Sequence, residues 1–442
     1  MIPRTRIAPS PTGRMHIGTV RTALFNYLFA KRHGGTFFVR VEDTDKERNK
    51  DEWVTAIWDD FSWCGIPTDE RFIQSQHLDR HRELLKKLVD RGVAYISKEE
   101  AKDGSGRKVE VVRLKNPGTR VTFDDAIRGE VSFDTKELGD FVIARSIDDP
   151  LYHFAVVADD GDAQVTHVLR AEEHISNTPR QILIQEALGL PRPIYGHLPL
   201  ILAPDRTKLS KRKHGASIEN YRAQGYSAQA IINYLALLGW NPGTPQEIFS
   251  MDELVSIFDL SQIQKSGAIF DVQKLNWFNR EYIQRLPAEE FNKEATSRLS
   301  RYAISVSEMP RIIPLIRERI ATWSELDQMF AEGGELHFLI HDPAPNPVQI
   351  PWKKDAPSIA AQHLTHLATI LNDAPVPVFA DTDAIKALIM PYAEENGRGN
   401  VLWPLRFALT GQERSPDPFT VLVLLGKATA LARIKTAITA LQ

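Results

Sequence analysis

The chain of 442 residues carries a single cysteine, Cys64. That excludes an internal disulfide and any zinc site built on clustered cysteines, and it points to a reducing cytoplasm. Long apolar runs are also missing: none approaches the ~20 residues of a membrane span. Met1-Ile2-Pro3-Arg4 leads straight into a strand-like segment, without the basic start, apolar stretch and small-residue cleavage site of a signal peptide. No Gly-x-Gly-x-x-Gly follows the first strand-like segment, and no Gly-x-x-x-x-Gly-Lys-Ser/Thr occurs. Dinucleotide dehydrogenases and P-loop phosphotransferases are thereby disfavoured. Strong charge of one sign is lacking too, the formal net charge being −3, so bulk charge does not announce a nucleic-acid binder.

What is present is a globular composition, 43% hydrophobic and 25% charged, in a chain long enough for two to four domains. Charge is uneven within it. Residues 1–50 hold ten Lys or Arg against four Asp or Glu, a local excess suited to a polyphosphate or a nucleic-acid end. Residues 4–8 read as a short strand, after which Pro9 and Pro11 hold the backbone extended. From His16 to about His33, Val20, Leu24, Tyr27 and Leu28 recur at helical spacing, and Gly34-Gly35 ends the helix. Thr36–Glu42 reads as a buried strand. A strand–helix–strand unit of this kind predicts a parallel sheet.

Residues 52–64 and 77–91 read as amphipathic helices. Short β-like pieces at 109–114, 120–123, 130–133 and 141–144 suggest an inserted domain. Strand and helix resume at 165–169 and 178–188, and Leu198–Leu202 reads as one strand leading into a basic loop. Helices are expected thereafter at 228–238, 252–258, 272–282, 311–331, 358–372, 383–396 and 418–440, with a proline-rich loop at 341–357.

Two distant segments carry the chemistry. The first is Ala8-Pro-Ser-Pro-Thr-Gly13 running into His16-Ile-Gly-Thr19; the second is Lys208-Leu-Ser-Lys-Arg-Lys213. A helix N-terminus offers free N–H groups and partial positive charge to phosphates. His16 at that start can donate to a phosphate oxygen, Gly18 leaves room for a nucleoside, and Ser10 and Thr12 bring small hydroxyls. Lys208 and Lys211 are three apart, so one turn can bring both ammonium groups to a pyrophosphate, where they meet charge that builds in the transition state. Either segment alone is a weak signal; a Lys/Arg run by itself is most often solvated surface.

In this order the two segments resemble those of class I aminoacyl-tRNA synthetases, and specifically bacterial glutamyl-tRNA synthetases. His16–Thr19 matches the His-Ile-Gly-His signature and Lys208–Arg212 the Lys-Met-Ser-Lys-Ser signature. Val41-Glu-Asp-Thr-Asp45 with Arg48, Val168-Leu-Arg-Ala-Glu-Glu-His174, Ser176-Asn-Thr-Pro-Arg180 and Asn233-Tyr-Leu-Ala-Leu-Leu-Gly-Trp240 also fit. The resemblance is close over residues 4–285 and looser beyond.

The resemblance implies a Rossmann-like parallel sheet with an α+β insertion, followed by an all-α anticodon-binding region. The expected boundaries are 1–80 and 165–225 for the halves of the catalytic domain, 81–164 for the acceptor-end insert, 226–310 for a stem-contact domain and 311–442 for the anticodon region. It implies ATP contacts from Ser10, Thr12, His16, Gly18, Glu173, Ile201, Lys208, Ser210, Lys211 and Arg212, with His16, Lys208 and Lys211 as the catalytic group. For glutamate it implies Arg6, Ala8, Ser10, Glu42, Tyr152 and Arg170. Arg6 and Arg170 would meet the side-chain carboxylate and Glu42 the α-ammonium, which suits chemistry in which a buried carboxylate demands a cation. Asp45 and Arg48 would lie at the tRNA acceptor end.

The implied reaction forms glutamyl-adenylate from glutamate and ATP, then passes glutamate to the 2′-OH of the terminal adenosine of tRNA-Glu, with Mg²⁺ accompanying ATP. The signature ends in Thr19 rather than His. Tyr95-Ile-Ser-Lys-Glu-Glu100 has no cysteine where many relatives carry a zinc cluster, so no structural zinc is expected. The expected state is a monomer. The rival readings are a non-discriminating form that also charges tRNA-Gln, a glutamyl-queuosine tRNA-modifying enzyme, an inactive tRNA-binding paralogue and a small nucleotidyltransferase.

Overall fold

The computed structural model describes residues 1–44, 49–100, 106–210 and 215–442. The chain divides into two compact units, Met1–Asn279 and Arg280–Gln442.

In the first unit the strand–helix–strand reading holds. Arg4–Ile7 (β1), Ile17–Arg32 (α1) and Thr36–Val41 (β2) follow one another, and β2 lies parallel to β1. α1 is buried on nearly every side, from Val20 through Leu28, rather than along one apolar stripe. A helix of that kind belongs inside a sheet-and-helix sandwich. Its polar residues are therefore spoken for: the Asn26 amide donates to the Thr22 and Leu169 carbonyls at 2.8 and 3.0 Å. Gly34, in the left-handed region at φ 65°, closes the helix.

Asp51–Cys64 (α2) and Glu70–Ile73 (β3) come next, β3 pairing parallel with β2. Leu78–Asp90 (α3) leads to an antiparallel sheet of Ala94–Glu100 (β4), Lys108–Leu114 (β5), Phe141–Ser146 (β8) and Asp149–Pro150 (β9). Arg120–Asp125 (β6) and Gly129–Asp134 (β7) form a hairpin between them in sequence. β4 pairs with β5 from Ala94↔Leu114 to Glu100↔Lys108.

Tyr152–Asp162 (α4) returns the chain to the parallel layer. His167–Ala171 (β10), Thr178–Leu188 (α5) and Ile194–Leu198 (β11) follow, with β10 parallel to β11. β10 lies beside β1: the Thr166 N–H donates to the Arg4 carbonyl at 3.0 Å and the Arg4 N–H to Thr166 Oγ1 at 2.7 Å. The strands thus run β3-β2-β1-β10-β11, with the ends of β1, β2, β10 and β11 on one edge. Ligands gather at such edges in open parallel sheets.

The expected strand 198–202 is two pieces. β11 ends at Leu198, and after Pro199, which has no N–H to give a ladder, Ile201–Leu202 (β12) pairs instead with Ala268–Ile269 (β13). Ile218–Ala223 (α6), Ala228–Leu237 (α7), Met251–Ile257 (α8) and Val272–Arg285 (α9) complete this part of the chain, and the unit boundary falls inside α9. The short α6 had no periodic signal.

The second unit contains Ala288–Leu299 (α10), Met309–Arg319 (α11), Trp323–Phe330 (α12), Pro357–Asp373 (α13), Thr382–Asn396 (α14), Arg398–Thr410 (α15) and Pro418–Leu441 (α16). The expected helix 311–331 is two: Ile320 is extended at ψ 140°, and Thr322, also extended, is the N-cap of α12. α10 and α15 were not anticipated. α16 turns at Gly426, φ 69° and ψ 169°. The core is aliphatic and aromatic, with Leu364, Leu405 and Ile434 fully buried.

Candidate active site

A cavity of about 520 Å³ opens at the strand-end edge. Its wall brings together Arg6, Ala8, Ser10, His16, Gly18, Glu42, Tyr152, Arg170, Glu173, Ile201, Lys208 and Ser210 from the expected set. Thr12 is exposed and is not in the wall. Asp45, Arg48, Lys211 and Arg212 lie outside the described residues.

At the nucleotide end, His16 is the N-cap of α1 and its Nδ1 accepts from the Gly18 N–H at 2.9 Å. A neutral ring that accepts at Nδ1 carries its proton on Nε2, the donor a phosphate oxygen needs. A Cβ on Gly18 would lie 3.0 Å from that Nδ1, so glycine here protects the histidine's cap geometry as well as leaving space for a nucleoside. The start of α1 is pinned by backbone pairing to residues that follow the basic segment in sequence: Ile17 N–H donates to the Ala216 carbonyl at 3.1 Å and Ile218 N–H to that of Met15 at 3.1 Å. Lys208, 59% exposed, forms an ion pair with Glu173.

The amino-acid end is built from buried charge. Arg6, only 4% exposed, gives Nε and Nη2 to Asp160. Arg40 gives Nη1 to the same carboxylate at 2.6 Å and Nη2 to Glu42 at 3.1 Å. Burial raises the Glu42 pKa, and Arg40 works against that rise. Burial also pushes on Asp160, but Arg6 and Arg40 prevail and hold it down to about 2.

Arg170, 6% exposed, has a different environment. Its partners are His197 Nε2, Gln181 Oε1 at 2.7 Å and Thr178 Oγ1 at 2.8 Å. His197 is itself held by Asp125 at 2.5 Å. All three groups on Arg170 are uncharged side chains or a ring nitrogen, and burial lowers its pKa. A desolvated guanidinium in a cavity wall without a carboxylate of its own has charge left to offer an anion.

Tyr152 is 40% exposed, so it is no core aromatic; its hydroxyl is 3.3 Å from His174 Nδ1. Burial and Arg170 lower His174 to about 4, leaving the ring neutral at pH 7. Asp43 braces the loop after β2, accepting from the Ser75 N–H at 2.8 Å and hydroxyl at 2.6 Å.

The sequence reading missed Asp159, Asp160 and Arg21; Arg40 is legible from sequence only as a neighbour able to pair with Glu42, not as the link to Asp160. Asp159-Asp160 was visible only as a charged pair in an apolar run, the one signal available. Arg21 sits buried in α1 and in the cavity wall; its guanidinium bonds the carbonyls of Leu238 and Pro199, and burial lowers its pKa to about 10.

Residues 3–103 and 96–277 match the family described as tRNA synthetases class I (E and Q), catalytic domain, and residues 272–438 match an anticodon binding domain. The chain is 38% identical to the glutamate–tRNA ligase of Carboxydothermus hydrogenoformans over 98% of both proteins. It belongs to the glutamate–tRNA ligase family of class I tRNA synthetases. Identity to the glutamate–tRNA ligase of Bordetella parapertussis is 39%, over 98% of this chain and 95% of that one. The crystal structure of a glutamate tRNA ligase from Elizabethkingia meningosepticum, in complex with its amino acid, superposes with a TM-score of 0.85 at 29% identity over the whole of both chains. The parallel catalytic sheet and helical C-terminal region expected from the resemblance are the architecture observed. Among the described residues no helix is long and apolar enough to cross a membrane.

Proposed function

We propose that this protein joins L-glutamate to tRNA-Glu at the expense of ATP, through glutamyl-adenylate, with the cavity at the sheet edge as its active site. The observation that carries the reading is Arg170, a buried cation with only uncharged partners, in one cavity with Glu42, His16 and Lys208. Arg170 and Arg6 take the side-chain carboxylate, Tyr152 adds a hydroxyl, and Glu42 takes the α-ammonium. Ala8 and Ser10 line the passage to the nucleotide end. There, His16 and the start of α1 face the phosphates, Gly18 and Ile201 flank the nucleoside, and Glu173 and Ser210 hold the edge. The lysines and arginine of the basic loop, Lys208, Lys211 and Arg212, meet the pyrophosphate.

The substrate α-carboxylate attacks the α-phosphate and pyrophosphate leaves. The 2′-OH of the terminal adenosine then attacks the adenylate carbonyl and AMP leaves. Positioning and electrostatics suffice for both steps, without a protein nucleophile. Mg²⁺ arrives with ATP as part of the substrate, bound through phosphate oxygens and water. Residues 81–164 serve the acceptor end, with Asp45 and Arg48 beside it, 226–310 the stem and 311–442 the anticodon. The protein works as a cytoplasmic monomer without structural zinc.

The test is charging of purified tRNA-Glu and tRNA-Gln with labelled glutamate and ATP. Charging of tRNA-Glu is expected. Charging of both tRNAs would make the enzyme non-discriminating, and charging of neither would overturn the reading.

A further inference from the structure

Asp160 does not line the cavity, yet both charged walls of its amino-acid end depend on it. Arg6 and Glu42 line the cavity; Arg40, Asp159 and Asp160 stand behind them. Asp160 takes Nε of Arg6 at 3.1 Å and Nη2 at 2.9 Å, a fork that fixes the plane of the guanidinium. Among the described residues Arg6 Nη1 has no hydrogen bond. The same carboxylate binds Arg40, which holds Glu42. Its helix is anchored in turn: the neighbouring Asp159 accepts from Gln74 at 2.7 Å and bonds His81 at 2.6 Å. Tyr152, in the cavity wall, is the first residue of the same helix.

We propose that Asp160 is a positioning residue for glutamate recognition, setting the direction of Arg6 so that its remaining Nη1 edge meets the substrate carboxylate. The inference rests on the proposed function and names a residue through which that site acts. An arginine with four free torsions loses affinity to side-chain entropy when it must be ordered by each substrate. Asp160 orders it beforehand. A merely neutralising Asp160 would behave in the opposite way: its removal would leave the cavity more positive and bind glutamate more tightly.

The signs therefore separate the two. Asp160→Asn keeps the shape and removes the charge. In tRNA-Glu charging, its KM for glutamate is expected to rise about tenfold or more, while the KM for ATP stays within about twofold. An unchanged or lowered glutamate KM, or an equal rise for ATP, would overturn the proposal. Asp160→Glu keeps the charge but displaces the fork by a methylene, and a smaller rise in glutamate KM is expected; no rise counts against positioning. This variant also decides the matter should Asp160→Asn fail to fold. Because Asp160 acts on the side-chain carboxylate through Arg6, Asp160→Asn should raise the glutamate KM less in an Arg6→Ala background than in the unaltered enzyme, the remainder passing through Arg40 and Glu42; full additivity would overturn the proposal. The unaltered enzyme is the control for the underlying reading. No charging by it sinks the function and this inference together, whereas normal charging with an unshifted variant sinks this inference alone.

Discussion

The two units bury different things. In Met1–Asn279 the buried side chains include Arg6, Arg21, Arg40, Glu42, Asp60, His81, Asp125, Asp159, Asp160 and Arg170; in Arg280–Gln442 the buried polar residues are Thr322, His363 and Thr410. Burying a charge costs free energy that only a partner recovers, and a paired charge seldom beats an apolar residue for stability. A unit that carries many is holding them for a ligand, and one that carries none is free to be a hydrophobic bundle. The contrast locates chemistry in the first unit without reference to any motif.

The largest expected effect tests whether the buried network tolerates the loss of one member. Arg40→Met leaves Glu42 without its hydrogen-bonding cation and Asp160 with Arg6 alone, and about 3–5 kcal/mol of unfolding free energy should be lost, read by denaturant titration. A loss below about 1 kcal/mol would mean that the network is not a unit. Arg170→Met tests the complementary case. Its partners are uncharged, so stability should hold or rise, while kcat/KM for glutamate falls about a hundredfold, near 3 kcal/mol. A fall in melting temperature matching the loss of activity would make Arg170 a structural residue.

The sequence made the two parts unequally legible. His16, Gly18, Lys208 and Glu42 sit in short contiguous motifs whose spacing carries their chemistry, and the cavity contains them all. Asp160 was invisible because its role comes from pairings with Arg6 and Arg40 across more than a hundred residues. Periodicity found α1 from four apolar positions but not that it is buried all round, since burial is a property of the neighbours it packs against. The single strand expected at 198–202 failed for a local reason, Pro199, which the chain itself displays. In the second unit an internal proline did not decide legibility: the helices carrying Pro314 and Pro391 were expected, whereas α10 and α15 were not.

Acid should divide the units next. Asp160 is held down to about 2 by Arg6 and Arg40, below the ordinary aspartate range near 3.9. A depressed carboxylate contributes stability that is full above its unfolded pKa and is lost as pH falls through the folded one. The first unit should therefore lose about 2 kcal/mol between about pH 5 and pH 2 from this residue. Glu42, raised by burial, carries the opposite sign and softens the slope. In Asp160→Asn this loss should be absent; an identical acid limb would place the titration elsewhere.

The smallest effect sharpens the contrast from the other side. Ile434 is fully buried in the apolar core of the second unit. Ile434→Val removes one methylene with no polar group nearby to reorganise, so about 1 kcal/mol of stability should be lost through the transfer and cavity terms alone. No charged group of the glutamate site lies in that unit, so KM for glutamate should not move. If it does move, the two units share more than a peptide bond in the catalytic cycle, and the partition of buried charge would no longer be a partition of function. If it does not, the second unit can be weakened by methylenes while the first is altered only by charges, which is the difference their cores display.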